Sequence, residues 1–263
     1  MVERIAIFAA LPWEERSVRR SLEGVARVHS AGWPATWAGH APGREVWLVR
    51  TGIGEERARA AAQAIAQAQR FDAFLVTGCC AGLTTELEPG DVVVADSVYG
   101  SGGAQRFPAD LDLRSTLHDA ASRAGVRVSL GAHACCGELL ATIEDKRRAA
   151  SQYGAVVAEM ESAAIARVAL RAAVPFAAVR AVLDPLDAEL RHATGLVDPA
   201  SGRVRPLHLI GKLATAPGVW PELLAMQKMM RAARTSLERV HAALLSQDPR
   251  SPAHAEARAG EGG

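Results

Sequence analysis

The stretch Ala158–Asp184 reads AEMESAAIARVALRAAVPFAAVRAVLD and decides the fold class. A short apolar run gives way to an Ala-rich helical segment, and a second apolar run follows Pro175. This strand–helix–strand order is typical of an α/β sheet. Glu159 and Glu161 stand at the start of the helix in an apolar setting, where an ionised carboxylate is costly unless it binds a partner. Capping of the helix N-terminus would explain the same two acids without a ligand.

Four further strand-like runs end in turn signals. They are RIAIFAALPWEE, which contains Glu14 just after Pro12; VWLVRTGIG, which ends at Gly54; AFLVTGCCAGL, which contains Gly78 and Cys79; and PGDVVVADSV. Glycine turns at strand ends, followed by helices, form the usual ligand-binding edge of an open α/β sheet. Between the first two runs, the pattern predicts a helix over Trp13–Val25.

Six stretches in this order resemble the nucleoside phosphorylase/nucleosidase superfamily. They are ALPWEE, TGIG, VTGCCAGL, PGDVVVAD, AEMESAAIA and VRAVLD. The resemblance implies a three-layer α/β/α fold whose central sheet is mixed and partly barrel-like. It also implies one catalytic domain over residues 1–245, and the polar, Pro/Gly/Ala-rich composition of residues 246–263 predicts a disordered tail.

Composition excludes several classes of protein. A chain of 263 residues is long enough for one large α/β domain, and its net charge of +1 gives no reason to expect nucleic acid as a partner. The apolar start IAIFAALPW is too short to span a membrane. The basic leader and the small-residue cleavage site of a signal peptide are both missing. These features favour a cytoplasmic protein.

The four cysteines form two adjacent pairs, Cys79-Cys80 and Cys135-Cys136. Adjacent cysteines make poor structural disulfides and lack the CxxC spacing of zinc sites. We therefore expect reduced thiols, no metal and no cofactor. A redox or metal protein would require the fold to bring thiols together with histidines such as His133.

Cleavage of an N-ribosidic bond needs an acid for the leaving base, a group that holds the ribose, and a nucleophile at the anomeric carbon. The resemblance implies that Asp184 protonates the purine and that Glu14 activates water. It also implies that Glu161 binds the ribose hydroxyls while Met160 packs against the sugar. Each residue has a structural alternative: Asp184 fits a turn, Glu14 the first turn of a helix, and Met160 the core.

Several departures from the phosphorylases of the superfamily favour water over phosphate. Val76 stands where those enzymes carry an arginine, and AALPWEE replaces their Gly-Asp-Arg phosphate loop. The loop of Gly78 and Cys79 is expected on the base or anion side of the site. In this loop, Cys79 replaces the usual Ser or Thr of the superfamily. Arg50 and Arg180 are still candidate anion contacts, so phosphorolysis with inorganic phosphate stays an alternative.

The motifs resemble two kinds of nucleosidase within the superfamily. By pattern, the hydrolase that the core resembles is methylthioadenosine/S-adenosylhomocysteine nucleosidase. The segments DPLDAEL, GRVRPLHL and LATAPGVWPELLAMQKMMRAARTSLERV resemble instead the hopanoid-associated members, which are implicated in removing adenine from adenosylhopane. Those members commonly carry Asp at the position of Glu159.

This second resemblance predicts an adenine nucleoside with an apolar 5′ substituent as the substrate. The Leu, Met and Trp side chains of Leu207–Met230 would line the mouth of the site and face a membrane surface, although ordinary helix packing explains them equally. By resemblance we also expect a homodimer. A non-catalytic nucleoside-binding protein on the same scaffold is the alternative from another functional class.

Overall fold

The computed structural model describes residues 3–190, 198, 200 and 219–248. The helix predicted near Leu207–Ala214 lies outside the described residues, as does nearly all of the predicted tail. No helix among the described residues is both long enough and apolar enough to cross a membrane.

Ten strands and six helices are found in the described residues. The strands are β1 (Glu3–Ala9), β2 (Glu23–Val28), β3 (Ala35–Ala41), β4 (Arg44–Arg50), β5 (Ala73–Gly82), β6 (Val92–Tyr99), β7 (Arg106–Pro108), β8 (Val128–Cys135), β9 (Val157–Glu159) and β10 (Phe176–Asp184). The helices are α1 (Pro12–Arg19), α2 (Glu55–Ala68), α3 (Leu111–Arg123), α4 (Ile143–Tyr153), α5 (Ser162–Arg171) and α6 (Val219–Leu245).

All ten strands belong to one mixed sheet, and part of that sheet closes into a barrel. The order β10-β6-β8-β9-β5 is completed by direct pairing of β10 with β5, so five strands form a ring. From β5 an open wing continues through β1 and β4 to β3 and β2, while β7 pairs with β6. The predicted mixed, partly barrel-like sheet is therefore confirmed.

Helices cover both faces of the sheet and complete the three layers. The Ala-rich helices α2 and α5 pack on one face, around Phe8 and Phe74 of β1 and β5. Helices α1, α3 and α6 pack on the other face, around Ile7 and Leu75. Alternate residues of β1 and β5 thus enter opposite cores, because successive side chains of a strand point to opposite faces.

The predicted helix over Trp13–Val25 is wrong in its second half. Helix α1 ends at Arg19, and β2 pairs antiparallel with β3 from Glu23 onwards. Gly24 adopts a φ of +59°, and the pairing register shifts between Glu23 and Ala26. Strand β2 is largely exposed, so no alternation of apolar and polar residues marks it in the sequence.

A buried polar chain fastens α6 to the sheet and to α1. The Ser17 hydroxyl donates to the Glu14 carbonyl oxygen at 2.6 Å, so it accepts the hydrogen bond from His241 Nδ1 at 3.0 Å. His241 Nε2 then accepts from the Thr77 hydroxyl at 2.8 Å. Both ring nitrogens of His241 are thereby satisfied at a position that is 1 % exposed. This series of hydrogen bonds links α6 directly to Glu14 and to Thr77, the residue before Gly78.

His241→Leu should lower the free energy of unfolding at neutral pH by about 1–3 kcal/mol, because two buried hydroxyls lose their partner. Burial lowers the pKa of His241 from 6.5 to about 3. The unfolded chain therefore takes up the proton first, and the contribution of His241 to stability declines as the pH falls from about 6.5 toward 3. Urea unfolding across this pH range should show the difference between the two proteins narrowing. Thr235→Ala, which removes an exposed hydroxyl from the same helix, is the control. If His241→Leu and the wild-type protein had the same free energy of unfolding at pH 7, the argument would be contradicted.

Candidate active site

A buried arginine lies at the centre of the candidate site. Arg180 on β10 is 1 % exposed. Its Nη2 contacts the carboxylate of Glu159, and it also lies 3.3 Å from Glu161 Oε2 and 3.0 Å from Ser162 Oγ. Its Nη1 donates to the Cys79 carbonyl oxygen at 3.4 Å. Although burial opposes the charge, the surrounding carboxylates raise the pKa of Arg180 and keep it a cation.

Glu159 has both a structural and an electrostatic role. Its Oε2 accepts hydrogen bonds from the backbone N–H groups of Glu161 and Ser162, at 2.9 and 2.8 Å. The capping interpretation is thus correct for Glu159, which binds the free N–H groups where α5 begins. The same oxygen contacts Arg180, so the start of α5 is tied to β10.

Glu161 is held differently, by the glycine turn after β4. Its Oε1 accepts from the Gly54 N–H at 2.9 Å, while the residue makes no side-chain cap of α5. Burial, opposed by Arg180 and reinforced by Glu159, raises the pKa of Glu161 to about 7. Met160, half-buried between Glu159 and Glu161, stands at the junction of β9 and α5.

Glu14 joins this group from the opening of α1. Its Oε2 accepts from the N–H groups of Ala10 and Leu11 at 3.0 and 2.8 Å, and its Oε1 accepts from the Cys79 N–H at 2.9 Å. Burial raises the pKa of Glu14, although Arg180 and these backbone bonds oppose the shift. The side chain therefore caps α1 and at the same time reaches the turn in β5.

Gly78 is the residue that lets Glu14 and Arg180 approach each other. A Cβ at this position would lie 2.6 Å from Arg180 Nη1 and 2.8 Å from Glu14 Oε1, distances that real Cβ contacts essentially never show. The neighbouring Cys79 is partly buried, and burial together with Glu14 keeps the pKa of its thiol well above the usual range. Cys79 is therefore a neutral thiol and not a nucleophile.

Asp184 is set apart from this cluster. It ends β10, four residues beyond Arg180, which corresponds to roughly 13 Å along a strand. Its Oδ2 lies 2.6 Å from Nζ of Lys146, a fully buried lysine on α4. Burial raises the pKa of Asp184 to about 6, although Lys146 pulls it downward. The sequence did not reveal Lys146, because EDKRR resembles an ordinary charged helix surface.

The structure therefore brings five of the seven predicted site residues into one connected group: Glu14, Gly78, Cys79, Glu161 and Arg180. Asp184 lies at the end of the same strand, and Met160 adjoins the group through its neighbours. Three buried carboxylates surround one guanidinium, so the group is net negative when all are ionised. Among the described residues, no three His, Cys, Asp or Glu side chains converge in the way that a metal ion requires.

Comparison with known proteins identifies the family. The model of the Phosphorylase superfamily matches residues 4–199. The chain belongs to this superfamily. A 5′-methylthioadenosine/S-adenosylhomocysteine nucleosidase of Lysinibacillus sphaericus is 30 % identical over 200 residues, which cover 69 % of this chain and 86 % of that one. The corresponding enzyme of Actinobacillus succinogenes is 29 % identical over 177 residues, covering 61 % and 77 %.

Solved structures of the superfamily share the fold. The 5′-methylthioadenosine/S-adenosylhomocysteine nucleosidase of Neisseria meningitidis, in complex with methylthio-immucillin-A, aligns with a TM-score of 0.74 and 21 % identity, covering 93 % of this chain and 99 % of that one. Futalosine hydrolase of Helicobacter pylori aligns with a TM-score of 0.73 and 15 % identity, covering 93 % and 97 %. These two similarities show the shared fold. The family match and the nucleosidase relatives confirm the prediction of an enzyme of the N-ribosyl hydrolase/phosphorylase type.

Gly78→Ala should inactivate the enzyme with little loss of secondary structure. The added methyl group must displace Arg180 or Glu14, and a misplacement of about 1 Å in a catalytic group costs about 10²-fold in rate. Release of base from an adenine nucleoside measures the loss, and circular dichroism checks folding. Gly82→Ala on the same strand is the control, because its Cβ would meet nothing closer than 3.4 Å. Equal activity of the two variants would contradict the crowding argument.

Proposed function

We propose that this protein hydrolyses the N-ribosidic bond of an adenine nucleoside that carries an apolar 5′ substituent. The observation that carries the proposal is the cluster of Glu14, Glu159 and Glu161 around the buried Arg180. The adenine base and the ribose are inferred from the nucleosidase relatives.

Charge favours water as the nucleophile. A phosphate ion would bring one or two further negative charges into a buried group that already contains three carboxylates and one guanidinium. In addition, Nη2 of Arg180 already contacts two of those carboxylates and Nη1 donates to a backbone carbonyl oxygen, so the protein itself engages both terminal nitrogens. A neutral water molecule meets no such repulsion.

Glu14 is the proposed general base. Burial raises its pKa and makes the carboxylate a stronger base than that of an exposed glutamate, which suits a group that must take a proton from water. Three backbone N–H groups fix the carboxylate, so it needs little reorganisation when it acts. Arg180, close by, stabilises the carboxylate form.

Glu161 is the proposed ribose ligand, with Met160 against the sugar face. A carboxylate accepts from both vicinal hydroxyls of a ribose, and such charge-assisted bonds are worth about 1.5–3 kcal/mol. Burial raises the pKa of Glu161 to about 7, so the surrounding protein stabilises the ionised carboxylate poorly. Two hydroxyl donors would therefore add stabilisation where it is most needed.

Asp184 is the proposed general acid for the leaving base. A pKa of about 6 leaves an appreciable protonated fraction near neutral pH, which an exposed aspartate would not have. The turn interpretation of Asp184 is compatible with this role, since the residue ends β10 directly before Pro185.

The apolar 5′ substituent is inferred from the C-terminal segment. Residues 207–218 lie outside the described residues, but the beginning of α6 presents apolar side chains that do not enter the core: Leu224 is 63 % exposed, and Met226, Met229 and Met230 are only half-buried. These side chains offer apolar surface for a 5′ chain. The homodimer and the membrane contact stay predictions.

Release of adenine should proceed without phosphate. We expect methylthioadenosine, incubated with the enzyme in phosphate-free buffer, to yield adenine and a reducing sugar at a rate that added phosphate does not increase. Glu14→Gln retains the shape of the base but should lower kcat by about 10²–10⁴-fold. A strict requirement for phosphate, with a sugar 1-phosphate detected by phosphorus NMR, would establish phosphorolysis instead.

A series of 5′-alkylthioadenosines separates a long apolar substituent from a methylthio group. If the chain is buried at the mouth of the site, each methylene contributes about 0.8 kcal/mol, so kcat/KM should rise about fourfold per methylene until diffusion limits it. Leu224→Ala should flatten the rise, whereas Leu111→Ala on α3, where the leucine is 64 % exposed, should leave it unchanged. A fall in kcat/KM for alkyl groups longer than methyl would reject the long apolar substituent and favour a nucleosidase for small 5′ substituents.

A further inference from the structure

Lys146 occupies an unusual position for a lysine. It projects from α4 into the protein and is 0 % exposed, whereas lysine is almost never fully buried without a partner. Its Nζ lies 2.6 Å from the Pro185 carbonyl oxygen, 2.8 Å from the Ala188 carbonyl oxygen and 2.6 Å from Asp184 Oδ2. The two carbonyl oxygens accept hydrogen bonds from the lysine, and the Asp184 carboxylate forms an ion pair with it.

These contacts fix both the Asp184 carboxyl group and the turn that follows it. The two hydrogen bonds hold backbone carbonyls of the turn after β10, and the ion pair holds the carboxyl group at the end of the strand. Because the ammonium lies 2.6 Å from Oδ2, it disfavours a proton on that oxygen and favours protonation on Oδ1. Lys146 therefore selects which oxygen carries the proton and limits rotation of the group.

In the part of the chain that the structure describes, the other titratable and charged groups near Asp184 do not duplicate this contact. On the adjacent strand β5, the Cys80 thiol stays neutral because burial raises its pKa. On β10 itself, Arg180 is bound to Glu159 and Glu161. The pKa of Asp184 thus reflects burial, which raises it, and the Lys146 ammonium, which lowers it.

We propose that Lys146 is a positioning residue for the reaction: it orients Asp184 toward the leaving base and makes it a better proton donor. The proposal rests on the proposed hydrolysis of an adenine nucleoside. As the bond between C1′ and the purine breaks, its electron pair goes to the base and Asp184 gives its proton to a ring nitrogen. Water adds its oxygen to C1′ and gives a proton to Glu14, and the two carboxyl groups return to their starting states through solvent. The Asp184 carboxylate left behind is stabilised by the ammonium at 2.6 Å.

The test compares Lys146→Met with the wild-type enzyme on two substrates. An adenine nucleoside needs protonation of its base, whereas 4-nitrophenyl riboside has a leaving group that departs without it. We expect kcat for the adenine nucleoside to fall about 10–100-fold, part of the full effect of a general acid, with less than about a threefold change for the nitrophenyl compound. The basic limb of the kcat/KM profile should also move to higher pH, because the ammonium no longer favours the carboxylate.

Arg147→Met, which changes an exposed neighbour on the same helix, is the matched control and should leave both substrates and the pH profile unchanged. Lys146→Gln retains hydrogen-bond donors without the charge and replaces Lys146→Met if that variant does not fold. Equal losses for both substrates with an unmoved basic limb would overturn the proposal, because Lys146 would then be only structural.

Carbon-13 NMR titration of the Asp184 carboxyl group gives a second readout that does not depend on the substrate. Its midpoint should rise in Lys146→Met or Lys146→Gln relative to the wild-type protein, and an unchanged midpoint would overturn the proposal. If the wild-type enzyme releases no base from any nucleoside, the proposed hydrolysis fails, while this titration still decides whether Lys146 controls the protonation of Asp184.

Discussion

The contact of one buried guanidinium with carboxylates from separate parts of the chain is the constraint on which the site depends. Arg180 on β10 contacts Glu159 and Glu161 at the junction of β9 and α5, while Glu14 from α1 approaches the same guanidinium. A buried charge without partners is costly. Removal of one partner from a buried ion pair destabilises the folded state by about 3–5 kcal/mol. The planar, multivalent fork of arginine suits this position better than a lysine would.

Closure of the barrel makes that contact geometrically available. The pairing of β10 with β5 sets Arg180 opposite Gly78, and the pairing of β9 with β5 brings in the strand that ends at Glu159. Because Gly78 has no side chain, there is room beside it for the Arg180 guanidinium and the Glu14 carboxylate. A Cβ at this position would clash with both groups. The fold and the site thus depend on the same strand, β5.

The acids beside the middle of strand β10 and at its end lie in two different electrostatic settings. Near its middle, Arg180 faces several carboxylates, and Glu161 has a pKa of about 7. At its end, Asp184 pairs with the Lys146 ammonium, and burial raises its pKa to about 6. Separate environments for two carboxyl groups are the usual means by which one site supplies both an acid and a group that binds or activates in ionised form.

Much of the fold could be predicted from sequence, because periodicity and glycine turns report local structure directly. The α/β class, the core strands and most helices follow from apolar runs such as AFLVTGCCAGL, and the ordered motifs indicated the family and the candidate residues. Strand β2 was missed, since its mostly exposed residues leave no alternating pattern.

The arrangement of the site was decided by tertiary structure. Lys146 lies 38 positions before Asp184 in the chain, and His241 lies 164 positions after Thr77. A buried lysine and a solvent-exposed one look the same in a sequence, because burial is a property of the packed elements and not of the residue. The sequence alone therefore determined which carboxylates the protein has. Only the closed barrel and the helices packed on it decided which of these carboxylates contact Arg180 and which one pairs with Lys146.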